Sequence, residues 1–191
     1  MILREAATVL RRGGLVVLPT DTVYGLAAMP LVPGVEERLN RVKKRAHGEK
    51  AIPLLAADSR QVEKWPASMN ALAHRLATHH WPGPLTMVLD TASGQTEGFR
   101  VPAHAGVLAL LRVTGPLRVT SANLSGAPPA LNAQEAACAI GDQVDLILDG
   151  GAVTGGQPST VLRVLENKLV LLREGALGRD LFAPCLVAGS D

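Results

Sequence analysis

Residues 119–129 read V-T-S-A-N-L-S-G-A-P-P, and the organisation of the chain follows from them. Leu117, Val119 and Thr120 form a short strand-forming run. It stops abruptly at small hydroxyl and amide side chains, then at Gly126 and two prolines. Such a run describes a strand that ends in a rigid polar loop. Hydroxyls and amides at a strand end can hold a polar ligand at little cost in volume. They can equally satisfy a turn from within, and composition alone leaves both readings open. The pattern occurs a second time upstream. L-V-V-L at 15–18 is a continuous apolar run, as expected of a strand buried on both faces, and it empties into P-T-D-T-V-Y-G-L at 19–26.

Working outward, the periodicity predicts a helix over 2–12 with Leu3, Ala6, Ala7 and Leu10 on one face. It predicts another over 33–45 with Val35, Leu39 and Val42 inward, finishing in Lys43-Lys44-Arg45. Cations suit a helix C-terminus, where they complement the dipole. Further strands are expected at 52–56, 85–89, 99–101 and 145–148. Helices are expected at 61–65 (a single turn), 68–80 and 102–112. Asn132 and Glu135 have the spacing of a capping box, which starts a helix running to Ile140. Segments 159–164 and 169–172 flank Glu166-Asn167-Lys168 as a hairpin. From Phe182 onward a short, poorly ordered tail is expected. Strands and helices mix without strict alternation and a hairpin closes the chain. The expected fold is therefore α/β, a single domain over residues 1–191 with a mixed sheet rather than a doubly wound parallel one.

The totals narrow the function classes. Of 191 residues, 47% are apolar and only 3% aromatic, so the core must be built from Leu, Val, Ala and Ile. A net charge of +2 does not announce a nucleic-acid binder. Cys138 and Cys185 lie far apart with no ligand spacing, which points to reduced thiols rather than a disulfide or zinc framework. The N-terminal residues lack a signal-peptide pattern, and no run approaches the roughly 20 apolar residues of a membrane helix. A cytoplasmic protein without a membrane partner is expected.

Searches for a P-loop, a dinucleotide fingerprint, an H-E-x-x-H pair and a G-x-S-x-G elbow come back empty. The five histidines, among them His47 and His104, show no ligand spacing. What remains is a pattern of residue types. Four strand ends deliver hydroxyls or cations: Thr20 and Thr22; Arg100; Thr120, Ser121 and Asn123; Ser159 and Thr160. A basic triplet lies at 43–45, with Lys50 close behind. Cations with hydroxyls and backbone N–H groups in glycine-rich loops suit polyphosphate, where charge neutralisation and orientation matter more than acid–base work. Periodicity does not say whether these loops meet.

Seven motifs occur in order between residues 19 and 175: P-T-D-T-V-Y-G-L, K-K-R, W-P-G-P-L-T, R-V-P-A-H, T-S-A-N-L-S-G, S-T-V-L and L-R-E-G. Together they resemble the YrdC family, in particular its short TsaC-type threonylcarbamoyl-AMP synthases. The resemblance implies a twisted open α/β sheet with a deep basic concave face. It implies that L-threonine, bicarbonate and ATP, with Mg²⁺, give threonylcarbamoyl-AMP and pyrophosphate. That product serves modification of the adenosine beside the anticodon of tRNA, through separate transfer proteins. ATP is then a substrate, and no tightly bound cofactor is expected. The family's K-x-R/S-x-N tetrad falls on Lys43, Arg45, Ser121 and Asn123, as ATP-phosphate and catalytic residues. Ser159 and Arg173 would join the nucleotide side, with Arg100 and His104 as weaker correspondences. Threonine would be read by Thr22, Tyr24, Arg45, Thr120 and Ser159. The metal ligands are not marked, and Asp21 is the first to test.

Two departures stand out. Ala46 replaces the family's usual proline after K-x-R, in a slightly long segment, which argues against Lys50 as a phosphate contact. The extra C-terminal domain of longer members is expected to be missing, so a lid must come from this domain or a partner. Two other readings fit the same residues: a module that binds double-stranded RNA or tRNA through phosphates, and an enzyme using another carbamoyl donor.

Overall fold

The structure is a computed structural model that describes residues 2–46, 51–65 and 67–187. His47 and Lys50 lie outside them. Among the described residues, nine strands form one sheet: β1 (Val16–Leu18), β2 (Gly25–Ala28), β3 (Leu54–Leu55), β4 (Leu85–Asp90), β5 (Thr96–Arg100), β6 (Leu117–Ser121), β7 (Leu146–Ile147), β8 (Thr160–Val164) and β9 (Leu169–Arg173). Their order is β7-β1-β2-β6-β3-β5-β4-β8-β9. The β1–β7, β3–β5 and β4–β8 pairs are parallel and the others antiparallel, so the sheet is mixed as expected. Helices α1 (Ile2–Arg11), α2 (Val35–Val42), α3 (Ser59–Lys64), α4 (Ala71–His80), α5 (Ala105–Thr114) and α6 (Ala133–Ile140) complete it.

The L-V-V-L run is apolar throughout because both faces of β1 are covered. Val16 and Leu18 pack with α1 and α5, through Ala6, Leu10, Leu110 and Leu111. Val17 joins the opposite cluster, with Leu39 and Val42 of α2 and Ile140 of α6. In the other half of the sheet, Leu85, Met87 and Leu89 pack under Leu72 and Leu76 of α4. Thr86 alternates with these residues, so its side chain points to the opposite face.

One strand is missing from the sequence reading. Strand β2, G-L-A-A, has no β-branched residue, yet all four of its residues are buried between β1 and β6. Gly25 is opposite Ser121, and a Cβ there would lie 2.6 Å from Val119 Cγ1. Close approach of the neighbouring strand, rather than propensity, selects the glycine there. The N-cap is present, with the Asn132 side chain accepting from the Glu135 N–H, but Glu135 reaches one residue further back than in a capping box and accepts from the Leu131 N–H.

The tail corrects a second expectation. Phe182 is 3% exposed and belongs to the α4 cluster, within a 3₁₀ segment Arg179–Cys185. The Val187 N–H then donates to the Leu169 carbonyl, tying the chain to the start of β9. The burial follows from an aromatic ring in a chain with few of them, facing His80 edge-on at 5.4 Å. Phe182→Ala is expected to cost about 3 kcal/mol of stability, read as a shift in urea midpoint at unchanged slope. A loss under about 1 kcal/mol would show that the tail does not pack.

Candidate functional site

Helix α2 is fastened to β6 at both ends. At its start, Glu36 Oε1 lies 3.2 Å from Arg118 Nε, an ion-pair contact without hydrogen-bonding geometry. Arg118 also holds Glu97 bidentately at 2.6 and 2.7 Å. At the helix end, the Lys43 ammonium donates to the carbonyls of Ser121 and Asn123, both at 2.7 Å. Ser121 Oγ and Asn123 Oδ1 lie at 3.3 and 3.2 Å. The spans match. Seven helical residues and three strand residues each advance about 10 Å, so the helix lies alongside the strand with its end at the strand's end.

The sequence reading carried α2 through Arg45, but the helix ends at Val42 with Lys43 as its C-cap. Lys44 is left-handed (φ 50), its N–H donating to Arg41 O and the Arg45 N–H to Asn40 O. That pattern is a Schellman turn, normally closed by glycine. A lysine there costs about 1 kcal/mol. The turn separates the two cations. Lys43, only 3% exposed, faces the strand end, while the Arg45 guanidinium donates through Nε and Nη2 to Asn40 Oδ1, at 2.9 and 2.7 Å.

All nine residues nominated from the sequence line one cleft: Thr22, Tyr24, Lys43, Arg45, Thr120, Ser121, Asn123, Ser159 and Arg173. The cleft is open to solvent and holds a volume of about 210 Å³. Their tasks within it differ. The Asn123 side chain accepts from Lys43 and donates to the Leu124 and Ala127 carbonyls, so its amide builds the loop that Gly126 (φ 82) turns. The Tyr24 hydroxyl donates to Gly151 O and accepts from Gly150 N–H, pinning the glycine-rich loop. Thr20 donates to Val23 O, so the Thr22 hydroxyl must donate to Thr20 while accepting from Arg100. Ser159 Oγ meets Thr86 Oγ at 2.8 Å, and the Ser159 carbonyl accepts from Arg173.

Arg100 is more central than its correspondence suggested. It is 6% exposed and donates to Gly83 O, Thr22 Oγ1 and Asp21 Oδ1, the last at 2.6 Å. The W-P-G-P turn thus serves to present the Gly83 carbonyl. Burial lowers the Arg100 pKa against the opposing pull of Asp21. Burial, then the Arg100 charge, lowers that of Arg173. Both stay protonated at neutral pH. His104 does not line the cleft; its Nδ1 caps α5 by accepting from Val107 N–H. Asn40 and Thr86 went unnoticed in the sequence. A buried asparagine inside an amphipathic helix was the one signal available.

Among the described residues, four cations therefore face the cleft and no carboxylate lines it. The residues do not fit a protein-held Mg²⁺. Asp21 is paired with Arg100, and no group of three His, Cys, Asp or Glu among the described residues is placed to share an ion. No helix among the described residues is long and apolar enough to cross a membrane.

A sequence model for Sua5_yciO_yrdC, described as "Telomere recombination", matches residues 8–175. The chain belongs to the Sua5/YciO/YrdC family. It is 35% identical to a threonylcarbamoyl-AMP synthase of Pyrococcus abyssi over 92% of this chain and 54% of that protein. It is also 35% identical to a threonylcarbamoyl-AMP synthase of Chromohalobacter salexigens, over 88% of this chain and 95% of that one. P. abyssi Sua5 crystallised with L-threonine superposes with a TM-score of 0.89 at 33% identity, covering 96% of this chain and 56% of that chain. The chain thus spans about half the length of the P. abyssi protein.

The two cations of α2 should separate on substitution. Lys43→Ala leaves buried oxygens without their donor, and is expected to cost about 3 kcal/mol in stability as well as anion affinity. Arg45→Ala should cost less, about 1 kcal/mol for the Asn40 oxygen it leaves without its donor, while weakening triphosphate binding roughly tenfold in titration calorimetry. Equal stability loss in both variants would contradict the division of tasks.

Proposed function

We propose that this chain makes threonylcarbamoyl adenylate from L-threonine, bicarbonate and ATP, releasing pyrophosphate: an adenylyl transfer. One observation carries this reading. Lys43, Arg45, Arg100 and Arg173 converge on a cleft that, among the described residues, is otherwise lined by hydroxyls, amides and apolar groups and by no carboxylate. Such a site favours a polyanion and disfavours a cationic ligand. The names of the two synthases and the threonine bound by P. abyssi Sua5 support the choice of substrates.

In this scheme the threonine amine adds to carbon dioxide derived from bicarbonate and loses a proton, which gives a carbamate. A carbamate oxygen then bonds to the α-phosphorus as the bond to the bridging β-phosphate oxygen breaks, and pyrophosphate leaves. No protein nucleophile is needed. The chain's contribution is positioning and charge: Arg45 and Arg173 on the phosphates, Lys43 and Asn123 holding the loop, and Ser121 donating beside them. The hydroxyl wall of Thr22, Thr120 and Ser159, shaped by Tyr24, faces threonine's own hydroxyl and carboxylate. The product is a reactive mixed anhydride, so its use in modifying tRNA falls to separate transfer proteins that receive it.

With ¹³C-bicarbonate, L-threonine and ATP, mass spectrometry should show a labelled threonylcarbamoyl adenylate, with pyrophosphate release dependent on threonine. Release independent of threonine, or product formed only from carbamoyl phosphate, would overturn the assignment.

A further inference from the structure

Asn40 is the one polar residue on the buried side of α2, only 4% exposed among Val35, Leu39 and Val42. Asparagine is a poor helix former, and a buried amide needs a reason to be there. Its partner supplies one. Asn40 Oδ1 accepts from both Nε and Nη2 of Arg45, at 2.9 and 2.7 Å, while the Asn40 carbonyl accepts from the Arg45 backbone N–H at 2.9 Å. A guanidinium carries donors only, so the amide oxygen must be the atom that faces it. Two donors closing on one oxygen fix the plane of the guanidinium, and the backbone bond fixes its root.

The residue type matters as much as its place. An aspartate could hold Arg45 in the same way, but its charge would cancel the one the cleft presents to phosphate. A leucine would fit the apolar side of α2 and preserve the charge, but would let the guanidinium swing. Asparagine is the short side chain that orients the cation without neutralising it.

We infer that Asn40 is a positioning residue for polyphosphate, acting through Arg45 and not by contact with the substrate. This rests on the proposed function for its substrate, though the binding it governs can be measured separately. The test uses inorganic triphosphate as the calorimetric probe, alongside threonine-dependent pyrophosphate release from ATP. Asn40→Leu should weaken triphosphate binding roughly tenfold and raise KM for ATP by a similar factor, with a much smaller change in kcat. Asn40→Asp should also weaken binding, and should flatten its salt dependence by about one charge. In an Arg45→Ala background, Asn40→Leu should have no further effect on triphosphate affinity. Asn40→Ser serves the same cycle if the leucine variant does not fold.

Wild-type affinity in Asn40→Leu, or an undiminished effect in the Arg45→Ala background, would overturn the inference. A protein that binds triphosphate with this dependence but releases no pyrophosphate with threonine would overturn the proposed function and leave the role of Asn40 standing. A wild-type chain that does not bind triphosphate would overturn both.

Discussion

The architecture of the cleft depends on one buried ammonium group. Lys43 is nearly inaccessible, and four oxygens of Ser121 and Asn123 surround its Nζ at 2.7–3.3 Å. Removing a charge of this kind from water costs several kcal/mol, which close oxygen partners must offset. The arrangement works only if the end of α2 and the end of β6 meet in register. The Lys43 carbonyl in turn accepts from the Ser125 N–H at 2.9 Å, so one residue anchors the polar loop through both its side chain and its backbone.

The sheet makes that meeting possible. Strand β6 lies between β2 and β3, with apolar clusters on both sides of the neighbouring β1–β2 pair, so its end is a fixed point. The ends of β5 and β9 and the start of β8 bring Arg100, Arg173 and Ser159 to the same cleft. Among the described residues, Lys43 and Arg173 donate to protein carbonyls and hydroxyls, Arg45 donates to the Asn40 amide, and Arg100 donates to a carbonyl and a hydroxyl as well as to Asp21. A neutral acceptor orients a cation without cancelling its field. That is how a protein of small net charge can carry a strongly basic site.

Much of this was legible in the residues. The apolar run at 15–18, the cap at Asn132 and the closing hairpin each gave an element where the structure has one, because local periodicity and turn chemistry act over a few residues. That the nine nominated residues share one cleft follows from the ordered motifs, not from periodicity. The tasks of the side chains were not legible. Tyr24 reads as a ligand contact in sequence and as a loop staple in space, because its partners at 150–151 are distant in the chain. Strand β2 opens on a glycine because Val119 of the neighbouring strand leaves no room for a Cβ at residue 25. The split between Lys43 and Arg45 depends on a left-handed lysine, a conformation that lysine does not advertise. Phe182 looked like part of a frayed tail because its cluster is assembled from α4 and the distant strands β4, β5, β8 and β9.

The most direct test of the account is hydrogen exchange followed by mass spectrometry, with and without ATP. If the Lys43 tie assembles a single polyphosphate site, ATP will slow exchange together in peptides covering residues 43–46, 119–127, 158–161 and 171–175. Protection confined to one of these segments, or absent from all of them, would contradict it.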